Sequence, residues 1–165
     1  FCKIWPKHAT IRMDLRPECK PDIIGDIRKT DFPNNYFDEI YLDPPHMIRK
    51  DGEVLREQFI TIKRRLSGRR TIEALKRYSF FKSREEWYDF IDKTNEELLR
   101  ILKPNGKLHY KIVSGKDRRM VHRKDLERMT NFKVFKEKIV KSKGPGGKNL
   151  VHYVVFIPAH YGTND

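Results

Sequence analysis

The sequence predicts an α/β fold, a mostly parallel sheet closed by a C-terminal antiparallel hairpin, and three observations carry that expectation. Short apolar runs of strand character alternate with helical patterning. One long helix carries its own start and stop signals. Two late strand-like runs flank Gly144-Pro145-Gly146-Gly147, as the arms of a hairpin do.

In chain order, Thr10 to Leu15 alternates and stops at Arg16-Pro17, and Asp22 to Ile27 is a short apolar run. Phe37 to Leu42 reads as a strand that ends where two prolines remove ladder donors. Ser83 and Glu86 form a capping box at the head of a helix reaching Leu102. Trp87, Phe90, Ile91, Leu98, Ile101 and Leu102 give that helix its apolar face. Lys103-Pro104-Asn105-Gly106 predicts a turn, followed by a strand from Lys107 to Val113. Further helices are expected over Asp51–Arg65 and Thr71–Tyr78, with a short one over Lys124–Met129. Strands over Phe132–Lys141 and Leu150–Ile157 complete the chain.

At 165 residues the sequence fits a single domain over 1–165 with a real core, carrying a basic insertion at about 47–82. Hydrophobic residues make up 38% and charged residues 36%, so much of the surface must be ionic. No run approaches the roughly 18 apolar residues of a membrane span, and the first residues lack a secretory pattern. Two cysteines, Cys2 and Cys19, are too few for a disulfide framework and lack metal spacing; one disulfide is compatible with them, but free thiols in a cytoplasmic protein are the favoured expectation. His8, His109, His122, His152 and His160 have no metal-ligand spacing either and read as structural or surface residues.

The net charge is +13, and its placement is uneven. Residues 48–82 hold 11 basic against 4 acidic residues, and residues 116–148 hold 12 against 4. Residues 1–47 are close to neutral, with 7 against 8. Clustered cations suit a polyanion, because each Lys or Arg on a phosphate releases counterions. Arg49, Lys50, Lys63, Arg64, Arg65, Arg69 and Arg70 follow directly on the second strand-ending motif and form a candidate nucleic-acid-binding element. Phe80-Phe81 beside them are either stacking surfaces or core.

Ligands of an open α/β sheet sit beyond the carboxyl ends of its strands, and three acids stand in such places. Asp14 is a candidate for ribose hydroxyls and Asp26 for an adenine amino group; either is also compatible with an ordinary turn aspartate. Asp43-Pro44-Pro45-His46 is more specific. An exocyclic amino nitrogen is a poor nucleophile because its lone pair is delocalised into the ring. A carboxylate and a carbonyl that accept its two hydrogens favour a pyramidal nitrogen. Pro44 has no N–H and offers only that carbonyl, in a direction restricted by the proline rings. His46 supplies a flat surface for an extruded base.

Met13-Asp14-Leu15-Arg16-Pro17, Pro21 to Arg28, Phe32-Pro33, Phe37-Asp38 and Leu42 to His46 together resemble class I S-adenosylmethionine-dependent methyltransferases. The likeness is to small phage- and archaea-type members with an Asp-Pro-Pro-His motif, and Leu99 to Leu108 resembles the helix–turn–strand that follows in that fold. The resemblance implies a Rossmann-like sheet and S-adenosylmethionine as cofactor. It further implies Asp14 and Leu15 at the ribose, Asp26 and Ile27 at the adenine, and Asp43, Pro44, Pro45 and His46 at the target amine of DNA or RNA. The family's first strand and glycine-rich loop have no counterpart before Asp14, and residues 15–22 are short for a helical crossover. The loop is therefore expected to be either lost from this chain or degenerate. Many base-amino methyltransferases also carry Tyr, Phe or Trp at the fourth motif position, where this chain has His46.

Two further readings stay open: an inactive methyltransferase-like nucleic-acid-binding module or subunit, and a methyltransferase acting on a protein glutamine amide. A protein partner or a homodimer is compatible with all three readings.

Overall fold

The structure, a computed structural model, describes residues 9–48, 81–115, 120–141 and 149–159. The basic residues at 49, 50, 63–65, 69 and 70, the helices expected at 51–65 and 71–78, and Gly144 to Gly147 lie outside the described residues.

Six strands, one α-helix and two 3-10 segments are described. Strands β1 (Met13–Asp14) and β2 (Ile23–Ile24) pair in parallel as a two-stranded sheet. A 3-10 segment, Pro17–Cys19, turns the chain between them, with Lys20 left-handed at φ 50°. A parallel link this short needs a fastening, and Arg12 supplies it. Its guanidinium forks onto Asp22 at 2.6 and 2.8 Å, while its backbone N–H donates to the same carboxylate.

The second sheet holds β3 (Phe37–Leu42), β4 (Leu102–Ser114), β5 (Phe132–Lys141) and β6 (Leu150–Pro158), in the order β3-β4-β6-β5. β3 and β4 run parallel, and β6 lies antiparallel between β4 and β5. The sheet is therefore mixed, which corrects the mostly parallel expectation. The hairpin is present, but its second arm inserts between β4 and β5, because β6 pairs along both neighbours.

Helix α1 (Arg84–Ile101) begins at Ser83, whose side chain accepts from the Glu86 N–H at 3.2 Å. Glu86 in turn reaches back to the Lys82 N–H, one residue before the position a capping box would use. Trp87, Phe90, Ile91, Leu98 and Ile101 are buried, as the apolar spacing requires. They meet Leu108, Tyr110, Ile112, Val154 and Phe156, which share one face of the sheet. Phe81 joins this core at 5.0 Å from Trp87 and 5.2 Å from Phe90, which settles it as packing.

The turn expected at Lys103 to Gly106 is absorbed into β4. Phe37 is opposite Leu102 and Glu39 is opposite Lys107, so β4 advances five residues where β3 advances two. Gly106 permits that irregularity, since a Cβ there would stand 2.7 Å from Leu102 Cγ and 2.9 Å from a backbone oxygen. The short helix expected at 124–129 is a 3-10 segment, Arg123–Arg128.

Two buried polar groups, Asp125 and His152, are answered by partners, as buried polar atoms require. Asp125 accepts from Trp87 Nε1 and the His122 N–H, both at 2.9 Å, and pairs with Arg84 at 3.3 Å. His152 joins Ser114 Oγ at 2.8 Å to Glu137 at 2.7 Å, and Arg123 forks onto the same Glu137. This network ties β4, β5 and β6 together and bears out the structural reading of His152. Cys19 is buried and disulfide-bonded, which overturns the expectation of a free thiol there and removes the ground on which cytoplasmic thiols were inferred. Among the described residues no helix is long and apolar enough to cross a membrane.

The segment leading into β3 is held under α1 by Glu97 and Arg100. Glu97 accepts from the Thr30 N–H and hydroxyl, while Arg100 donates to the Phe32 carbonyl at 2.7 Å and to Asn34. The Arg100 guanidinium, with help from Thr30, outweighs burial and holds the Glu97 carboxyl at about 2. A depressed carboxyl contributes stability that is whole above about pH 4.3 and is lost as pH falls through its folded value. Glu97→Gln should therefore lower stability at neutral pH and flatten the loss between about pH 4.3 and 2; urea melts across that range with unchanged pH dependence would contradict the assignment. Asp125→Ala removes the acceptor of the Trp87 N–H and one of the partners of Arg84, and should cost about 3 kcal/mol in the same melts.

Candidate active site

A cavity of about 770 Å³ opens along β3 and beside the end of β1. Asp14, Leu15, Asp26, Ile27 and all four residues of Asp43-Pro44-Pro45-His46 line it. Residues separated by up to 32 positions in sequence thus face one space. Asp14 ends β1, Asp26 stands two residues after β2, and Asp43 follows β3. This is the geometry of carboxylates beyond strand ends. Apolar walls come from Phe32, Phe37, Ile40 and Phe90.

The Asp-Pro-Pro-His segment is held by backbone bonds as well as by its prolines. The His46 carbonyl accepts from the Val121 N–H at 3.2 Å, and the Met47 carbonyl accepts from the Phe81 N–H at 3.0 Å. Pro44 is buried, while the Asp43 side chain is 43% exposed and bonded to Lys111 Nζ at 2.6 Å. Lys111 comes from β4, one residue past the Leu42–Tyr110 register pair. It also lines the cavity. The sequence reading did not single it out, since nothing local links it to Asp43 across 68 positions.

Asp14 and Asp26 are occupied in a way the sequence reading also missed. Arg16 donates to Asp14 from its backbone N–H at 2.9 Å and from its guanidinium at 3.0 Å to each oxygen. Arg28 repeats the arrangement on Asp26, with the closest contact at 2.6 Å. The signal was present as a repeated Asp-aliphatic-Arg, Asp14-Leu15-Arg16 and Asp26-Ile27-Arg28. At Asp14 burial pulls the carboxyl up, but the Arg16 bonds outweigh it and the group lies below its ordinary value. At Asp26 the Arg28 bond leads and the direction is the same. Both are anionic acceptors at neutral pH, and each shares its lone pairs between the arginine and any ligand. A carboxylate has about four acceptor sites, so the pairs narrow the capacity of the acids without abolishing it.

In size and chemistry the residues present fit a nucleoside cofactor. The volume lies within the roughly 300–1,000 Å³ of small-molecule sites, and apolar walls with a few convergent polar groups are their usual make-up. Next to Asp43, the buried Tyr110 hydroxyl has no hydrogen-bond partner among the described residues. Burial first, and the Asp43 charge second, push its pKa up and keep it a neutral phenol. No cluster of His, Cys, Asp and Glu able to hold a metal is found among the described residues.

Burial lowers the His46 pKa; Asp43 pulls it up, and Lys111 adds to the lowering. The ring is thus a neutral imidazole at pH 7. Because a depressed histidine leaves the unfolded chain with more protons, stability is whole above about pH 6.5 and declines as pH falls through it. An NMR titration should place the His46 midpoint below 6.5, and a midpoint above that value would refute the burial argument.

No protein family matches the chain at the level of sequence, and no curated protein does. Among solved structures, the chain is similar to a SAM-dependent methyltransferase from Leishmania major, at 14% identity and TM-score 0.43, over 81% of this chain and 44% of that one. It is similar to a protein from Pyrococcus horikoshii OT3 at 13% identity and TM-score 0.48, over 88% of this chain and 69% of that one. A third likeness, at 14% identity and TM-score 0.45, is to the (4+2)-cyclase SpnF, over 83% of this chain and 56% of that one. The chain spans less than half the length of the Leishmania protein.

Proposed function

We propose that the chain is a domain of an S-adenosylmethionine-dependent methyltransferase acting on an exocyclic amino group of a base in DNA or RNA. The observation that carries this reading is the single cavity shared by Asp14, Asp26 and Asp43 to His46. When bound, the cofactor supplies an electrophilic methyl group. Asp14 accepts from ribose hydroxyls with the oxygen capacity Arg16 leaves, and Asp26 accepts from the adenine amino group beside Ile27. Asp43 and the Pro44 carbonyl accept the two hydrogens of the target amine, so its lone pair is directed away from the ring. Lys111 holds Asp43 in place and must yield part of the carboxylate to that amine. Neutral His46 lies flat against the base. As the nitrogen–carbon bond forms and the bond from that methyl to the cofactor's sulfur breaks, Asp43 stabilises the positive charge developing at nitrogen and accepts the proton the methylated amine sheds, passing it to solvent from its exposed side.

The occupied state of Asp14 and Asp26 favours one competing reading, a nucleic-acid-binding module without transfer activity. Calorimetric titration with S-adenosylmethionine separates the two: heat of binding supports the enzyme, and none supports the module. Labelled-methyl transfer to DNA, RNA and protein then identifies the acceptor, with incorporation into DNA or RNA expected. Asp43→Ala should reduce that transfer at least about 100-fold while leaving cofactor binding in place. Near-normal turnover in that variant would sink the assignment.

A further inference from the structure

The two faces of the four-stranded sheet differ sharply. One is buried under α1. On the other, the ladder pairs set Lys111 beside Tyr153 and Tyr153 beside Lys138. One step along, His109 is opposite Val155, and Val155 is opposite Lys136. His109 also stacks on Tyr41 at 4.3 Å between ring centres and 9° between planes, which places β3 on the same surface. Tyr41 and Tyr153 are 41% and 44% exposed. Lys107, Lys133, Lys136 and Lys138 are exposed as well.

An irregularity in β5 builds this surface. Val134 is opposite Phe156 and Lys136 is opposite Val155, so Phe135 is an extra residue in the ladder. In an unbroken strand, side chains alternate with period two, and Lys133 would face away from Lys136 and Lys138. The bulge reverses the alternation once and brings all three lysines to one face, the kind of re-aiming for which bulges are retained. It also leaves Phe135 62% exposed. Nothing in the packing of the core requires three cations on one side of an edge strand.

We propose that this face, from Tyr41 on β3 across Tyr153 on β6 to Lys133, Lys136 and Lys138 on β5, is a binding platform for single-stranded nucleic acid. Exposed aromatics interleaved with lysines suit a single strand, whose bases offer π-faces and whose phosphates need cations. Two interstrand steps separate Tyr41, stacked with His109, from Tyr153, roughly 10 Å across the sheet, so aromatic groups span the width of the face and Tyr153 offers a ring to a splayed base. Duplex, with its bases stacked inside, uses only the lysines. The platform also runs into the cavity, because Tyr41 and Lys111 line both. A strand lying on it has one end at Asp43. The platform rests on sheet geometry and stands whether or not the cavity transfers methyl groups.

The test is fluorescence anisotropy of the full chain with a labelled oligothymidylate, in a salt series, beside a duplex of equal length. The single strand should bind more tightly than the duplex. Replacing Lys133, Lys136 and Lys138 together by Gln should weaken binding at least about tenfold and reduce the salt slope by about 2. Tyr153→Ala should weaken it about tenfold with the salt slope unchanged, and Tyr153→Phe should restore it. All four positions are exposed, and circular dichroism melts should confirm that each variant folds. Equal binding of duplex, or wild-type affinity in the triple variant, would overturn the proposal. Calorimetry with S-adenosylmethionine on the triple variant should be unchanged, so a failed platform is told apart from a failed cofactor site.

Discussion

The contact between α1 and one face of the four-stranded sheet governs the rest of the molecule. Trp87, Ile91, Leu98 and Ile101 are almost wholly excluded from solvent, as are Leu108, Tyr110, Ile112 and Val154 opposite them. Burying a large apolar side chain is worth roughly 1.5–3 kcal/mol, so this seam outweighs any single polar interaction described here. Its consequences are positional. With Leu108, Tyr110 and Ile112 turned inward, strand alternation obliges His109 and Lys111 to point the other way. Lys111 then meets Asp43, and His109 meets Tyr41.

Polar interactions settle what the seam leaves open. Glu97 and Arg100 hold the segment leading into β3, and with it the strand that ends at Asp43. Trp87 lends its indole N–H to Asp125 and so connects the helix to the 3-10 segment at 123–128. The Ser114–His152–Glu137–Arg123 network joins three strands under the same roof. Each places a charged or polar atom within the partly buried layer and answers it there, as a low-dielectric surrounding demands.

The site combines order with competition. Asp14 and Asp26 both line the cavity, yet each is held by the arginine two residues further on. Those arginines keep the acids ionised and orient them, and they also claim lone pairs that a ligand would use. Asp43 stands in a similar relation to Lys111. A ligand that binds here must share three ion pairs, so affinity depends on how much each arginine or lysine gives up.

Much was legible from local chemistry. Ser83, Glu86 and the apolar spacing announced α1, and the runs at 37–42, 132–141 and 150–157 announced strands close to their final bounds. Asp43-Pro44-Pro45-His46 was readable because prolines after a strand and an acid at its end are local facts. The order β3-β4-β6-β5, the bulge at Phe135, the absorbed turn in β4 and the disulfide at Cys19 were not, since each depends on pairing between distant segments. The Asp-aliphatic-Arg repeats were visible, but whether an arginine folds back onto its aspartate depends on what surrounds it. The sequence by itself determined which residues could carry chemistry. Only the tertiary structure decided that Asp14, Asp26 and Asp43 share one cavity, and that a basic, aromatic face lies beside it, because convergence across a sheet is set by register and burial rather than by neighbours in the chain.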